Sequence, residues 1–436
     1  MASHTINNFF SRRIHIFLRP NSFLRHLLFL SSGTLLAQAI PVLVSPILTR
    51  LYVPDDFAMF AVFIALTGTF TPIICGKYEV AMVLPKNRVY GEHLFGIAVY
   101  FSLAISITLF IVFLFAGDSV LSLLNSQQLG HWLYVIPLVM FLSGLFITGS
   151  YFSNRNKKYK LLARSKISRS LAASTSTILM GIAGAGFVGL LTGLFVGLFV
   201  ASFFLLYGNR QALSKRIMRW GSQKKFLLYK FRHYPLYNAT SALLNGLTLS
   251  LPVLFLSHYF SDDIVGYYAL VIRATSVPIA FISESVSQIH LKKVVDLINN
   301  QNPVRPYLFK VTLFLCLVVL IPSIVIIFWG PVLFQIVFGA KWSEAGRYAQ
   351  ILMPGFSVSF VSATLSTTFG ATNNNQLGAF IKIVIFISTL TVLLFCSQKQ
   401  NIVHLLHALM INNVLCYLFL YILIFLAIKN IRELKR

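Results

Sequence analysis

The chain has 436 residues, 57% of them hydrophobic and only 11% charged, and its mean hydropathy is +0.78. Soluble domains carry about 25% charged residues, so a soluble globular fold is excluded and the chain reads as an all-α polytopic membrane protein. Its formal charge of +25 does not make it a nucleic-acid binder, because the basic residues fall in short gaps between apolar spans rather than on one soluble face.

In chain order, Ile6 to Arg19 alternates apolar residues with Arg12, Arg13 and His15. The pattern fits a short amphipathic helix lying in the membrane interface or a basic tail without fixed structure. Arg12, Arg13, Arg19 and Arg25 precede an apolar run containing A-Q-A at Ala37 to Ala39, as a signal peptide would. The run continues past that point and Pro41 follows closely, so an uncleaved first helix is expected.

Cutting at the polar gaps gives twelve spans, each near the roughly 20 residues that cross the hydrocarbon layer. They are Leu27 to Leu48, Phe57 to Leu84, Leu94 to Phe115, Trp132 to Phe152, Ser165 to Ala183, Val188 to Tyr207, Leu236 to Ser257, Ile264 to Val286, Leu308 to Trp329, Tyr348 to Phe369, Leu377 to Phe395 and Ile402 to Ile428. Pro41 and Pro46 each remove a backbone donor from the first span and invite a kink or break. The fifth and sixth spans share one tract, so Arg164, Lys166 and Arg169 are expected to snorkel to the headgroups. Gly189, Gly193 and Gly197 repeat every fourth residue and give the sixth helix a flat face for close packing.

The longest polar insertion, Gly208 to Arg232, divides the chain into two six-helix halves. The expected organisation is a cytoplasmic N-terminal segment (1–26), an N-terminal lobe (27–207), a basic cytoplasmic linker (208–235), a C-terminal lobe (236–428) and a basic tail (429–436). Of the 36 Lys and Arg residues, thirty lie in segments on one side, four on the other and two, Lys77 and Arg273, within spans. That asymmetry places both termini in the cytoplasm. The seven basic residues between Tyr151 and Arg169 serve this topology or meet anionic lipid or a phosphorylated substrate. Trp132, Trp329 and Trp342 flank the exterior loops, as an outer aromatic belt would.

A short repeat links the halves. At an offset of 207, Tyr52, Asp55, Asp56 and Phe60 align with Tyr259, Asp262, Asp263 and Tyr267, each Asp pair sitting at an outer corner before a long helix. Six helices per half is an even number, so a parallel repeat about an axis along the membrane normal is expected.

Four charged residues lie well within spans, away from their ends: Lys77 and Glu79 in the second, Arg273 and Glu284 in the eighth. Placing them there costs about 10 to 14 kcal/mol together, so they should face a watery cavity or one another. On a continuous helix Lys77 and Glu79 stand about 200° apart, which excludes their pairing with each other. The repeat sets Lys77 opposite Glu284; a gate-like pair across a cavity and separate snorkelling to the headgroups are both open. Gln38, Asn245, Gln350 and Lys382 are weaker candidates. His404 and His407, three apart near the outer end of the last span, are a candidate proton relay or interfacial packing residues. Cys75, Cys316, Cys396 and Cys416 lie singly, without metal-ligand spacing. No nucleophile elbow, phosphate loop or dinucleotide fingerprint is present, so an enzyme reading is poor and no cofactor or metal is implied.

The segment L-T-R-L-Y-V-P-D-D-F (Leu48 to Phe57) is followed by G-K-Y-E-V-A-M-V-L-P (Gly76 to Pro85), Y-P-L-Y-N-A-T-S-A-L-L-N (Tyr234 to Asn245), G-Y-Y-A-L (Gly266 to Leu270) and F-G-A-K-W-S-E-A-G-R-Y-A-Q-I-L (Phe338 to Leu352). Together these resemble the polysaccharide-transporter branch of the multidrug, oligosaccharidyl-lipid and polysaccharide exporter superfamily. The resemblance implies two six-helix lobes around a central cavity that opens alternately to each side. It implies a flippase for undecaprenyl-diphosphate-linked oligosaccharides (O-antigen, capsule or related units) in the bacterial inner membrane. The lipid-linked oligosaccharide and membrane lipids would be its ligands, and polysaccharide polymerase and chain-length machinery its partners. The carrier-binding role would fall on the cavity cations Lys77 and Arg273, with Glu79 and Glu284 as cavity or gate charges. Lys77 stands where arginine is more usual in the family, and Glu284 where a small residue is. Two other readings are a cation-coupled multidrug exporter of the same superfamily and a polysaccharide polymerase or ligase.

Overall fold

The computed structural model describes residues 23–210, 221–372 and 374–433; the basic N-terminal segment and the middle of the linker lie outside them. Every regular element among the described residues is helical. Twelve long helices stand in order: α1 (Phe23–Leu51), α2 (Pro54–Phe70), α4 (Arg88–Leu123), α5 (Ile136–Arg155), α6 (Tyr159–Ile182), α7 (Phe187–Asn209), α9 (Ala239–Tyr259), α10 (Asp262–Asn299), α11 (Val304–Phe338), α12 (Ser343–Leu365), α14 (Asn375–Ser397) and α15 (Ile402–Glu433). Three short ones, α3 (Tyr78–Ala81), α8 (Ser222–Lys230) and α13 (Thr368–Ala371), sit between them. Ten of the long helices hold a stretch long and apolar enough to cross a membrane. The other two, α6 and α10, carry the charged residues that break their hydropathy, and these turn out to be functional candidates.

Helices dominate because a chain in hydrocarbon has no water to satisfy its backbone, and a helix satisfies it internally. Side chains facing outward are accordingly apolar: Phe309, Leu313, Leu317, Ile321 and Phe328 on α11 are all exposed, as are Ile107, Ile111 and Phe115 on α4. Helix α1 runs unbroken through Pro41 and Pro46. The hydroxyl of Thr49 donates to the Pro46 carbonyl at 3.1 Å. The boundary between the fifth and sixth spans falls at Ala183–Gly186, where Gly184 and Gly186 take positive φ. The flat face of α7 packs on α6: a Cβ at Gly197 would stand 2.8 Å from Ala173 Cβ and 2.9 Å from the Arg169 carbonyl oxygen.

Helices α1, α2 and α4–α7 form one lobe, α9–α12, α14 and α15 the other, and α2 packs along both α9 and α10 where the lobes meet. The acidic corners open α2 and α10, so this face of the molecule is called here the corner end and the opposite face the linker end. At the corner end the lobes are latched. The Trp342 indole Nε1 donates to the Thr49 carbonyl at 2.9 Å. Ser257 and Ser126 share a hydrogen bond of 2.6 Å, and the Ser257 hydroxyl reaches the Leu124 carbonyl at 2.6 Å. Phe57 meets Trp342 edge-on at 5.0 Å between ring centroids, and Tyr267 packs on both Trp342 and Tyr348 at 6.0 Å. Trp342 is therefore no belt residue. It is completely buried, while Trp329 is 57% exposed: an indole with a carbonyl to bond and an aromatic partner is more stable inside the latch than in the interface.

Candidate functional site

The continuous second span expected from hydropathy is broken. Asp56 Oδ2 accepts from the Val53 amide at 3.1 Å and starts α2. The helix stops at Phe70, one residue short of the Thr71-Pro72 step, where a 3-10 turn takes over. Two left-handed residues follow, Gly76 at φ +59° and Lys77 at φ +60°. Gly76 also lies where a Cβ would stand 2.8 Å from the Phe101 ring, so any other residue would have to displace that ring. For Lys77 the left-handed conformation costs about 1–2 kcal/mol, and such strain concentrates at functional sites.

This turn overturns the exclusion of a Lys77–Glu79 pair. The 200° separation holds only on an unbroken helix; with Lys77 left-handed ahead of α3, its Nζ comes within 3.9 Å of Glu79 Oε1. Glu79 is buried, and its other oxygen, Oε2, has no protein partner. The break is sealed from the linker end by Arg155, which donates to the carbonyls of Met82 and Asn87.

Lys77 and Glu79 line a cavity of about 490 Å³ inside the first lobe, together with Thr71, Ser143, Tyr151 and Arg169. Arg169 is the cation the sequence reading missed. Expected to snorkel, it instead turns inward, its guanidinium 4.9 Å from the Phe146 ring centroid. Lys166 likewise turns inward and donates to Thr34 Oγ1 at 3.1 Å, and only Arg164 of the three is exposed. The reason is α7: its glycine face draws α6 into the lobe and carries Arg169 with it. Spacing held a signal, since Lys166, Arg169, Ala173 and Thr177 form one helix face and two of them are cations within an otherwise small-residue stripe.

Arg273, on α10, reaches across to the first lobe, its guanidinium 5.9 Å from the Phe57 ring centroid. Glu284 is exposed and takes no part in the ion pairs found among the described residues. Lys77 pairs instead with Glu79, so the structure does not bring Lys77 and Glu284 together as an ion pair. At the corner, Asp55 stands beside Asp263 across the lobe boundary; burial first, then the Asp263 charge, hold the Asp55 carboxyl above the usual range. Asp262 is raised by burial and then by Asp263. All four corner carboxylates also lie in the first turns of their helices, where the helix dipole favours negative charge. His404 and His407 are exposed; the His404 amide donates to Asn401 Oδ1 at 3.1 Å, and His407 Nδ1 bonds the Val403 carbonyl at 2.8 Å. Gln350 is committed to the Ile327 carbonyl at 2.7 Å.

The cavity thus presents two cations, Lys77 and Arg169, and one carboxylate, Glu79. The profile of the polysaccharide biosynthesis protein family matches residues 47–347, which contain all of these groups. The chain belongs to that family. None of the curated proteins compared with it matches in sequence. Among solved structures, an inward-facing multidrug resistance transporter of the MATE family and MOP superfamily is similar over 92% of this chain and 96% of its own, with a TM-score of 0.70 at 14% identity. The lipid II flippase MurJ in an inward closed conformation is similar over 93% of this chain and 90% of its own, with a TM-score of 0.71 at 13% identity. An outward-facing MATE transporter covering 93% and 96% scores 0.57 at 12% identity. This family member therefore has the two-lobed fold of MOP superfamily transporters.

Proposed function

We propose that the protein is a flippase that carries a lipid-linked oligosaccharide, joined to its polyprenyl carrier through a diphosphate, across the bacterial inner membrane by alternating access. One observation carries the reading: the first lobe holds an open cavity lined by both Lys77 and Arg169. A diphosphate and a sugar chain cannot cross hydrocarbon unaided, whereas a polyprenyl tail can stay in lipid. The protein need shield only the headgroup, in a polar and net cationic space. The cavity's two cations, Lys77 and Arg169, outnumber its one carboxylate, Glu79. That balance suits an anionic carrier and opposes a drug exporter that must hold an organic cation.

The geometry supports a sequence of steps. With thirty basic residues on the linker side, that side is cytoplasmic, and both termini with it. The corner latch then closes the periplasmic side while the headgroup enters from the cytoplasm and its diphosphate meets Arg169 and Lys77. Lys77 exchanges its weak 3.9 Å pairing with Glu79 for the phosphate, and the approach of negative charge draws the lobes together at the linker end. Release of the corner latch opens the other face.

Deleting the gene in its host tests this. The expected result is loss of surface glycan with build-up of lipid-linked repeat units on the inner leaflet, rescued by the unaltered gene and not by Arg169→Ala or Lys77→Ala. Full rescue by both variants would overturn the assignment.

A further inference from the structure

The second lobe holds a cavity of its own, of about 750 Å³. Its walls come from α10, α12, α14 and α15 with α9, and the first-lobe cavity is walled by α2, α5, α6 and α7. Shifted by six long helices, these are the same four elements, so the second cavity is the repeat's counterpart of the first. Its chemistry has diverged. Where the first is lined by Lys77, Glu79 and Arg169, the second is lined by the amides Asn238, Asn245 and Gln376, the hydroxyls of Ser241 and Thr367, and the ring of Phe369. A single cation, Lys382, joins them. The Thr367 hydroxyl is buried with no protein partner, and a buried polar group left in that state costs about 1–3 kcal/mol unless something bonds it.

We infer that this second cavity is a binding site for the uncharged sugar portion of the substrate, while the first-lobe cavity takes the diphosphate. Side-chain amides offer donors and acceptors together, which is what vicinal hydroxyls of a sugar require, and an aromatic ring supplies the apolar face. The two cavities are neighbours. Gly246 of α9 is pressed against the carbonyls of Gly68 and Thr69 and against Pro72, beside the first cavity, while Asn245, the adjacent residue, lines the second. One helix, about 10 Å across, separates them, and Asn238 at its start places the second cavity toward the linker end. A headgroup lying over the start of α9 would engage both at once. The inference rests on the flippase reading and adds to it a site for the sugar.

The test uses the full chain in lipid nanodiscs, titrated with farnesyl diphosphate and with farnesyl diphosphate carrying N-acetylglucosamine. The expected result is tighter binding of the glycosylated probe. Thr367→Val, which keeps shape and removes only the unpartnered hydroxyl, and Gln376→Met should each reduce that preference about two- to tenfold, the value of one hydrogen bond, with binding of the bare diphosphate unchanged. Arg169→Ala should weaken both probes together. If both probes bind the unaltered chain equally, or the variants leave the preference intact, the sugar site is wrong and the flippase reading stands. If neither probe binds, both fall.

Discussion

Trp342→Phe is the sharpest perturbation of the corner latch. Thr49 lies in the last turn of α1, and its carbonyl is one of the four that a helix end leaves without an internal partner. Leu48, its neighbour, accepts the Tyr52 amide at 2.9 Å, but the Thr49 carbonyl is satisfied by the Trp342 indole at 2.9 Å from the other lobe. Phenylalanine keeps a ring against Phe57 and removes the donor. In the latched state the Thr49 carbonyl is then buried and unsatisfied, at a cost of about 1–3 kcal/mol; once the corner opens, water bonds it and the cost vanishes. The equilibrium between latched and open corners should therefore shift toward open by about 5- to 150-fold. The assay is the distribution of distances between spin labels at the exposed positions Val53 and Ser261 in nanodiscs. A longer-distance population should grow in the variant. An unchanged distribution would refute the claim that this hydrogen bond holds the lobes together.

Other expectations follow from the same geometry. Asp55 binds its proton more tightly when pressed against Asp263 than when the corner is apart. Acidification should thus favour the latched corner, and that contribution should fade as pH rises from the ordinary carboxylate range through the raised value; Asp55→Asn should flatten the pH dependence of the same label distances, and a pH profile like that of the unaltered chain would count against it. Gly197→Val places a branched side chain against Ala173 and the Arg169 carbonyl and should cost about 1–3 kcal/mol by overpacking, lowering thermal stability in detergent while Gly221→Ala, in open space, does not. Glu79→Gln leaves Lys77 without its carboxylate partner and should tighten farnesyl diphosphate binding, by removing both a competitor for the ammonium and a like charge near the phosphate; weaker binding would contradict the exchange step.

Much of this architecture is legible in the sequence, because length and hydropathy report what hydrocarbon demands. The twelve long helices sit where the apolar spans do, and the Tyr-x-x-Asp-Asp repeat marks the starts of α2 and α10. Hydropathy is silent where a helix is interrupted inside an apolar run. Nothing in average hydrophobicity distinguishes Phe57 to Leu84 as one helix from a helix, a Pro72 turn and a left-handed Lys77, so the Lys77–Glu79 pairing was lost with the assumed periodicity. Arg169 was misplaced for a different reason. Snorkelling assumes that a cation near a span end faces lipid, whereas its direction is set by α7, whose glycines draw α6 inward. Trp342 shows the same limit, since an aromatic near the interface and an aromatic in a lobe latch have the same sequence position.

The central claim is most directly tested by reconstitution. Purified chain in proteoliposomes, loaded with a fluorescent polyprenyl-diphosphate-linked sugar in both leaflets, should make the outer-leaflet and inner-leaflet pools exchange, as read by quenching with a membrane-impermeant reductant. The account predicts quenching beyond the outer pool for the unaltered chain and quenching of the outer pool alone for the Arg169→Ala, Lys77→Ala double variant. Equal exchange by both proteins, or exchange by neither, would contradict it.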